Sequence, residues 1–113
     1  MTRATAAMLA TLCVLLGAGC GIHVPEDRRE YIGAWQGSGV TLVITADGRV
    51  EYERRQGSVS KSISAPIRAF EGDDFIVGIP LLTTRFRVER PPYREGDAWK
   101  MRVDGVELVR VGR

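Results

Sequence analysis

Few side chains in this chain could do covalent, metal or acid–base chemistry. Of its 113 residues one is His and two are Cys. A Ser-His-Asp relay needs an imidazole to take the hydroxyl proton. The only one, His23, stands in a polar stretch with a proline (GIHVPEDRRE) and reads as a solvated residue outside the globular part. Cys13 and Cys20 both precede residue 21, so the rest of the chain offers no thiol, no disulfide and no Cys-based metal site. Glu71, Asp73 and Asp74 bring three carboxylates together, but Glu71-Gly72-Asp73-Asp74 is also ordinary turn composition. From these residues no catalytic set, no metal and no cofactor is expected, and the chain is read as a non-enzyme.

The chemistry that remains belongs to Cys20. Arg3 is followed by an uncharged run, Ala4 to Gly19, dominated by Ala, Leu and Val. That run is shorter than the roughly 20 apolar residues that span a bilayer, and it ends in small residues, as an export signal does. Leu16-Gly17-Ala18-Gly19-Cys20 resembles the lipobox of bacterial lipoproteins. Leu16 stands four residues before the Cys, where most lipoboxes place it three before; Ala18 and Gly19 fit. The resemblance implies cleavage before Cys20, a diacylglycerol on its sulfur and an acyl chain on its amine. Each buried CH₂ adds about 0.8 kcal/mol of membrane affinity, so several chains anchor firmly where one does not. Residue 21 is Gly and not the Asp that holds Gram-negative lipoproteins in the inner membrane, which implies an outer-membrane protein facing the periplasm. The expected organisation is thus a cleaved signal over 1–19, a lipidated Cys and tether over 20–30, and one domain over 31–113.

Removing 19 residues leaves 94, with 15 basic against 14 acidic side chains. The near balance excludes the strong basic field that nucleic-acid binding requires. The mature chain shows no 3.6-residue period. It alternates with period 2 and is broken by Gly, Pro and Asp, which predicts an all-β domain. About eight short strands are expected, the first Tyr31 to Gln36. Around Ala46-Asp47-Gly48, a three-residue loop with Gly48 left-handed pairs Ile44 with Val50 and Leu42 with Tyr52. A two-residue turn would set Ile44 against Glu51, so the hydrophobic match selects the former. Ser58, Ser60, Ser62 and Ser64 read as the wet face of a strand. Pro66 marks that strand as an edge or a bulge. Thr83 to Arg90 reads as one strand, Pro91 to Asp97 as a loop, and Asp104-Gly105 as a type I′ turn joining the last two strands. The simplest topology is a small antiparallel meander curled into a barrel or a two-sheet sandwich.

Gly33-Ala34-Trp35, near the start of this meander, resembles the opening of the lipocalin-like barrels of the calycin group, in which the Trp plugs one end of the barrel. The resemblance implies an Arg late in the sheet packed across that Trp. Arg110, on the same face as Val106 and Leu108, is so placed, and a Trp35–Arg110 contact contributes about 0.5–2 kcal/mol. Gly33, Trp35 and Arg110 are therefore structural candidates, and none of the family's ligand-binding positions matches. Were the barrel hollow, Tyr52, Phe86 and Trp99 would line it, but an eight-stranded barrel this short is more readily filled by its own side chains. Arg85, Arg87, Arg102 and Lys100 would share an outer face if the strands that bear them pair, with Glu51, Glu53, Glu89 and Glu107 as ion-pair partners. Two functions fit these features. One is a membrane-anchored, non-catalytic binding or interaction module of the cell envelope. The other is a carrier for a small apolar ligand. The expected partners are the membrane through lipidated Cys20, and an envelope protein or a small apolar ligand.

Overall fold

The computed structural model describes residues 22–112, so the expected signal segment and Cys20 lie outside the described residues. A short 3-10 helix, Glu26–Tyr31, precedes nine strands: β1 (Gly33–Gly37), β2 (Val40–Ile44), β3 (Arg49–Gln56), β4 (Val59–Glu71), β5 (Asp74–Ile79), β6 (Leu82–Phe86), β7 (Val88–Glu95), β8 (Ala98–Val103) and β9 (Val106–Gly112). All pairings are antiparallel and their order is β6-β5-β4-β3-β2-β1-β9-β8-β7. The domain is all-β, a meander curled into a half-barrel, consistent with a lipocalin-like architecture.

The pairing changes at two corners along the chain. Over 59–66 β4 pairs with β3, and from Ile67 onward it pairs with β5, with a register shift between Ile67 and Ala69. Pro66 stands at that corner, where a residue without an N–H breaks no ladder bond. The chain likewise passes from β6 to β7 through Arg87 alone. Three hydrogen bonds pin this second corner: Arg87 N–H to Asp104 Oδ1 (2.9 Å), Asp104 N–H to Arg87 O (2.8 Å), and Val88 N–H to Asp74 Oδ1 (2.8 Å). The Val88 N–H, with Arg85 beside it, holds the Asp74 carboxyl below its ordinary range.

The hairpin registers follow the hydrophobic pairing. Ile44 faces Val50 and Leu42 faces Tyr52, with Gly48 at φ +86°. Thr45 closes this loop by receiving Arg49 N–H on its hydroxyl (3.0 Å) while Gly48 N–H reaches Thr45 O (3.0 Å). At the other end Asp104 (φ 48°) and Gly105 (φ 79°) are both left-handed, as a type I′ turn requires, and Val103 faces Val106. Trp35, Leu42, Ile67, Phe75, Phe86, Met101 and Leu108 are fully buried in one core. Each such side chain contributes about 1.5–3 kcal/mol by leaving water.

Four expectations need correction. The strand expected over Thr83 to Arg90 is two, since the period-2 alternation runs unbroken through Arg87 while the partner strand changes. Pro91 and Pro92 lie in β7 and not in a loop, because β7 is an edge strand and its ladder with β8 is bulged between Arg90 and Tyr93, so neither missing donor breaks a ladder bond. Tyr31 ends a helix, and β1 starts at Gly33. The stretch read as a tether is, from Ile22 on, part of the fold: Ile22 N–H bonds Ile67 O (3.1 Å) and Val24 N–H bonds Ala46 O (3.2 Å).

The 3-10 helix closes one side of the core through Tyr31. Its ring meets Phe70 and Phe75 edge-on, at 5.5 and 6.2 Å, and its hydroxyl donates to Asp73 O at 2.8 Å. Burial, reinforced by Asp73, pushes the phenol from 10.0 up to about 12. The folded state therefore holds a proton that the unfolded chain releases above about pH 10. Stability is whole below about pH 10 and falls as pH rises toward 12. Urea midpoints measured from about pH 9 to about pH 11 should decline, and Tyr31→Phe should flatten that decline. An equally steep decline in the variant would remove Tyr31 as its cause.

Candidate functional site

Gly33, Trp35 and Arg110 come together as the sequence implied. Trp35 and Arg110 are direct partners across β1 and β9. The guanidinium lies 5.3 Å from the Trp35 ring, and its Nη1 donates to Ile32 O at 3.0 Å. Trp35 is wholly buried and its indole N–H donates to Tyr31 O at 2.9 Å. Gly33 has a physical reason to be glycine: its φ is +144°, and a Cβ there would come within 2.6 Å of Arg110 Cδ. The arginine stem crosses over the glycine to reach the indole. Trp99 belongs to this cluster as well, 4.9 Å from the same guanidinium, so Arg110 touches two indoles. That second indole was not foreseen, although Trp99 stands on the inward-facing side of the strand next to β9. The cluster is structural, a latch between the first strand and the last.

Tyr52 and Phe86 also meet, but as packing partners. Their rings are edge-on at 4.9 Å, and Phe75 stacks on Phe86 at 5.0 Å. The interior at this point is filled by aromatic side chains, and Trp99 lies instead with Arg110. Where the expectation placed one ligand-lining set, the structure has two separate packed clusters.

The four basic residues do not form one face: Lys100 and Arg102, two apart, share a side of β8, while β6, which bears Arg85, lies at the other end of the strand order. Arg85, on β6, is bound to Glu71 (2.7 Å) and Asp74 (3.0 Å). Arg87 occupies the corner between β6 and β7. Arg102, on β8, stands opposite Glu107 and donates to Gly105 O at 3.0 Å, while Lys100 pairs with Glu95 at 2.8 Å. Arg85, Arg102 and Lys100 each have a local anionic or carbonyl partner, and such exposed pairs contribute little stability. Of the expected acidic partners, Glu51 lies 3.8 Å from Arg49, Glu53 lies 3.6 Å from Arg55, and Glu89 accepts the Gly105 N–H. Among the described residues no group of three or more His, Cys, Asp or Glu is placed to hold a metal ion.

The surface that remains unsatisfied is the outer edge of β4. Over 59–66 this strand pairs with β3 on one side and has no ladder partner among the described residues on the other. Ile67 turns its N–H to Gly48 O on the β3 side (2.7 Å). Backbone groups alternate sides along a strand, so Ala65, Ile63 and Lys61 also bond β3. Ser64, Ser62 and Ser60 point their N–H and C=O groups outward. Beside this edge the outer face of β2, β3 and β4 forms a shallow trough of about 470 Å³, lined by Thr41, Val43, Glu51, Glu53, Ser62 and Ser64. A second trough of about 330 Å³ adjoins it through Thr41 and Glu53. The alternating serines signalled a wet face in the sequence. That the same strand is also an open edge depends on β5 leaving it at Pro66, which no local pattern encodes.

Comparison with known proteins places no relative beside this arrangement: no protein-family model, curated protein or solved structure matches the chain significantly.

Proposed function

We propose that this chain is a bacterial envelope lipoprotein whose domain is a non-catalytic interaction module. In this reading the signal over 1–19 is removed, lipid on Cys20 holds the protein at the periplasmic face of the outer membrane, and the open edge of β4 receives an extended segment of an envelope protein as an added strand. The observation that carries the reading is that edge. Ser60, Ser62 and Ser64 present unpaired backbone donors and acceptors in register, next to a trough able to take the partner's alternate side chains. The packed rings of Tyr52, Phe75 and Phe86 support an interaction module over a carrier with an internal pocket. Lys61 on the same edge serves as a guard against indiscriminate pairing.

A proline distinguishes the two sides of the strand. Ser62→Pro removes an outward N–H and should leave the melting temperature close to that of the wild type. Ile63→Pro removes a ladder bond to Tyr52 and should cost about 1–3 kcal/mol. A photo-crosslinking residue at position 60, in living cells, should give a discrete adduct that the folded Ser62→Pro variant loses. An adduct of equal yield in that variant, or none in either chain, would overturn strand addition. The anchor is tested separately by metabolic labelling with a fatty-acid analogue. Label is expected in the wild type and absent from Cys20→Ala; label persisting in the variant would sink the lipoprotein reading.

A further inference from the structure

The β5–β6 hairpin overruns the corner at which β4 changes sheets. β5 continues two residues past Val77, the partner of Ile67, and returns through Pro80 and Leu81 into β6, while β4 leaves it at Pro66. The hairpin tip is left uncovered: Ile79 is 58% exposed, Leu81 97% and Leu82 73%. No charged residue occurs from Phe75 to Thr84. Single exposed apolar side chains are ordinary on protein surfaces, but three on one turn form a patch of the kind that marks a contact with protein or membrane.

What favours membrane is the place where the chain enters the fold. Ile22 bonds Ile67 O from the side opposite Val77. The tip therefore lies two strand spacings across and a few residues along from Ile22, about 10–15 Å. Ile22 is itself apolar and exposed, and only one residue separates it from Cys20. We infer that the Ile79–Leu82 tip enters the interfacial layer of the bilayer that carries the Cys20 lipid, as a second contact beside the anchor; the inference rests on the lipid-anchor reading proposed above. A lipid alone leaves the domain free to swivel. Two contacts on one side of it fix its orientation. The exposed Gly57-Ser58 turn, at the far end of β4 and about 25 Å from Pro66, is then held away from the lipid, and the open serine edge runs outward into the periplasm.

Cysteine usage makes the test direct. Once Cys13 has left with the signal and Cys20 carries lipid, Leu81→Cys supplies the only free thiol of the mature chain, at a position too exposed to disturb folding. The protein, expressed with its own signal, is labelled there with an environment-sensitive dye. It is then reconstituted into vesicles of phosphatidylethanolamine and phosphatidylglycerol, with Ser58→Cys as the control. On floated vesicles the dye at 81 should emit at shorter wavelength than the dye at 58. Spin-labelled acyl chains should quench it several-fold more strongly. Equal emission and equal quenching at the two positions, on protein that floats, overturns the inference and leaves the anchor standing. Protein that does not float and takes dye at Cys20 overturns the anchor and the inference together.

Discussion

Trp35→Ala lowers the stability of the domain by about 3–5 kcal/mol, the range for removing a fully buried large aromatic. The side chain is wholly buried, so truncation leaves a cavity ringed by core residues. It also leaves Tyr31 O without the indole N–H it accepts at 2.9 Å, and it takes one of two indoles from Arg110. Small domains hold a total stability of about 5–15 kcal/mol, so this one change removes a large share of it. Urea denaturation followed by far-ultraviolet circular dichroism measures the loss without relying on the deleted fluorophore. Trp35→Phe, which keeps an aromatic ring but not the donor, should fall between the two. A midpoint for Trp35→Ala within error of the wild type would mean that this side chain does not plug the core.

Gly33→Ala is the second large effect, expected at about 2–4 kcal/mol from a left-handed backbone and an overpacked Cβ together. The new methyl group would lie 2.6 Å from Arg110 Cδ and 2.8 Å from Gly112 O. The first neighbour is a flexible side chain and the second is backbone, so the two contributions separate. Arg110→Ala alone should cost about 1–2 kcal/mol through its ring contacts and its bond to Ile32 O. The double variant should then be more stable than the sum of the two losses predicts, by roughly 1 kcal/mol, because the side-chain clash is gone. It should remain well below Arg110→Ala, because the φ of +144° and the Gly112 carbonyl are unchanged. Strict additivity would show that the arginine stem does not cross Gly33.

The parts of this fold legible in the sequence are those set by neighbours along the chain. The β2–β3 register could be read because only a three-residue loop sets Ile44 on Val50 and Leu42 on Tyr52. The Asp104-Gly105 turn could be read because its residues tolerate left-handed backbone. The Trp35–Arg110 contact was accessible through the resemblance carried by Gly33 and Trp35 and through counting inward positions on the last strand. The remainder depends on which strand lies alongside, and alternation does not encode that. Thr84, Phe86 and Val88 keep one rhythm while the partner changes from β5 to β8. Pro91 and Pro92 look like loop residues until β7 is known to be an edge. The 3-10 helix over Glu26–Tyr31 is too short and too polar to show a period, and packing of Tyr31 holds it in place. The candidate site was half legible for the same reason: its serines stand in plain alternation, and its openness is a property of the corner at Pro66.

The pairing of β1 with β9 has a consequence for the order of events in folding. Every other rung of the sheet joins strands consecutive in sequence, so each can close as a local hairpin soon after its residues are free to move. Trp35 and Arg110 lie 75 residues apart, and bringing such distant ends together carries the largest loop-closure entropy in the domain. Contacts of this range slow folding relative to local ones. Until Val106–Gly112 is available, β1 has no ladder partner on that side, and the β7–β8 hairpin has no ladder link to the other strands. A chain synthesised or translocated from its amino end thus keeps an open, unlatched sheet until Val106–Gly112 has arrived.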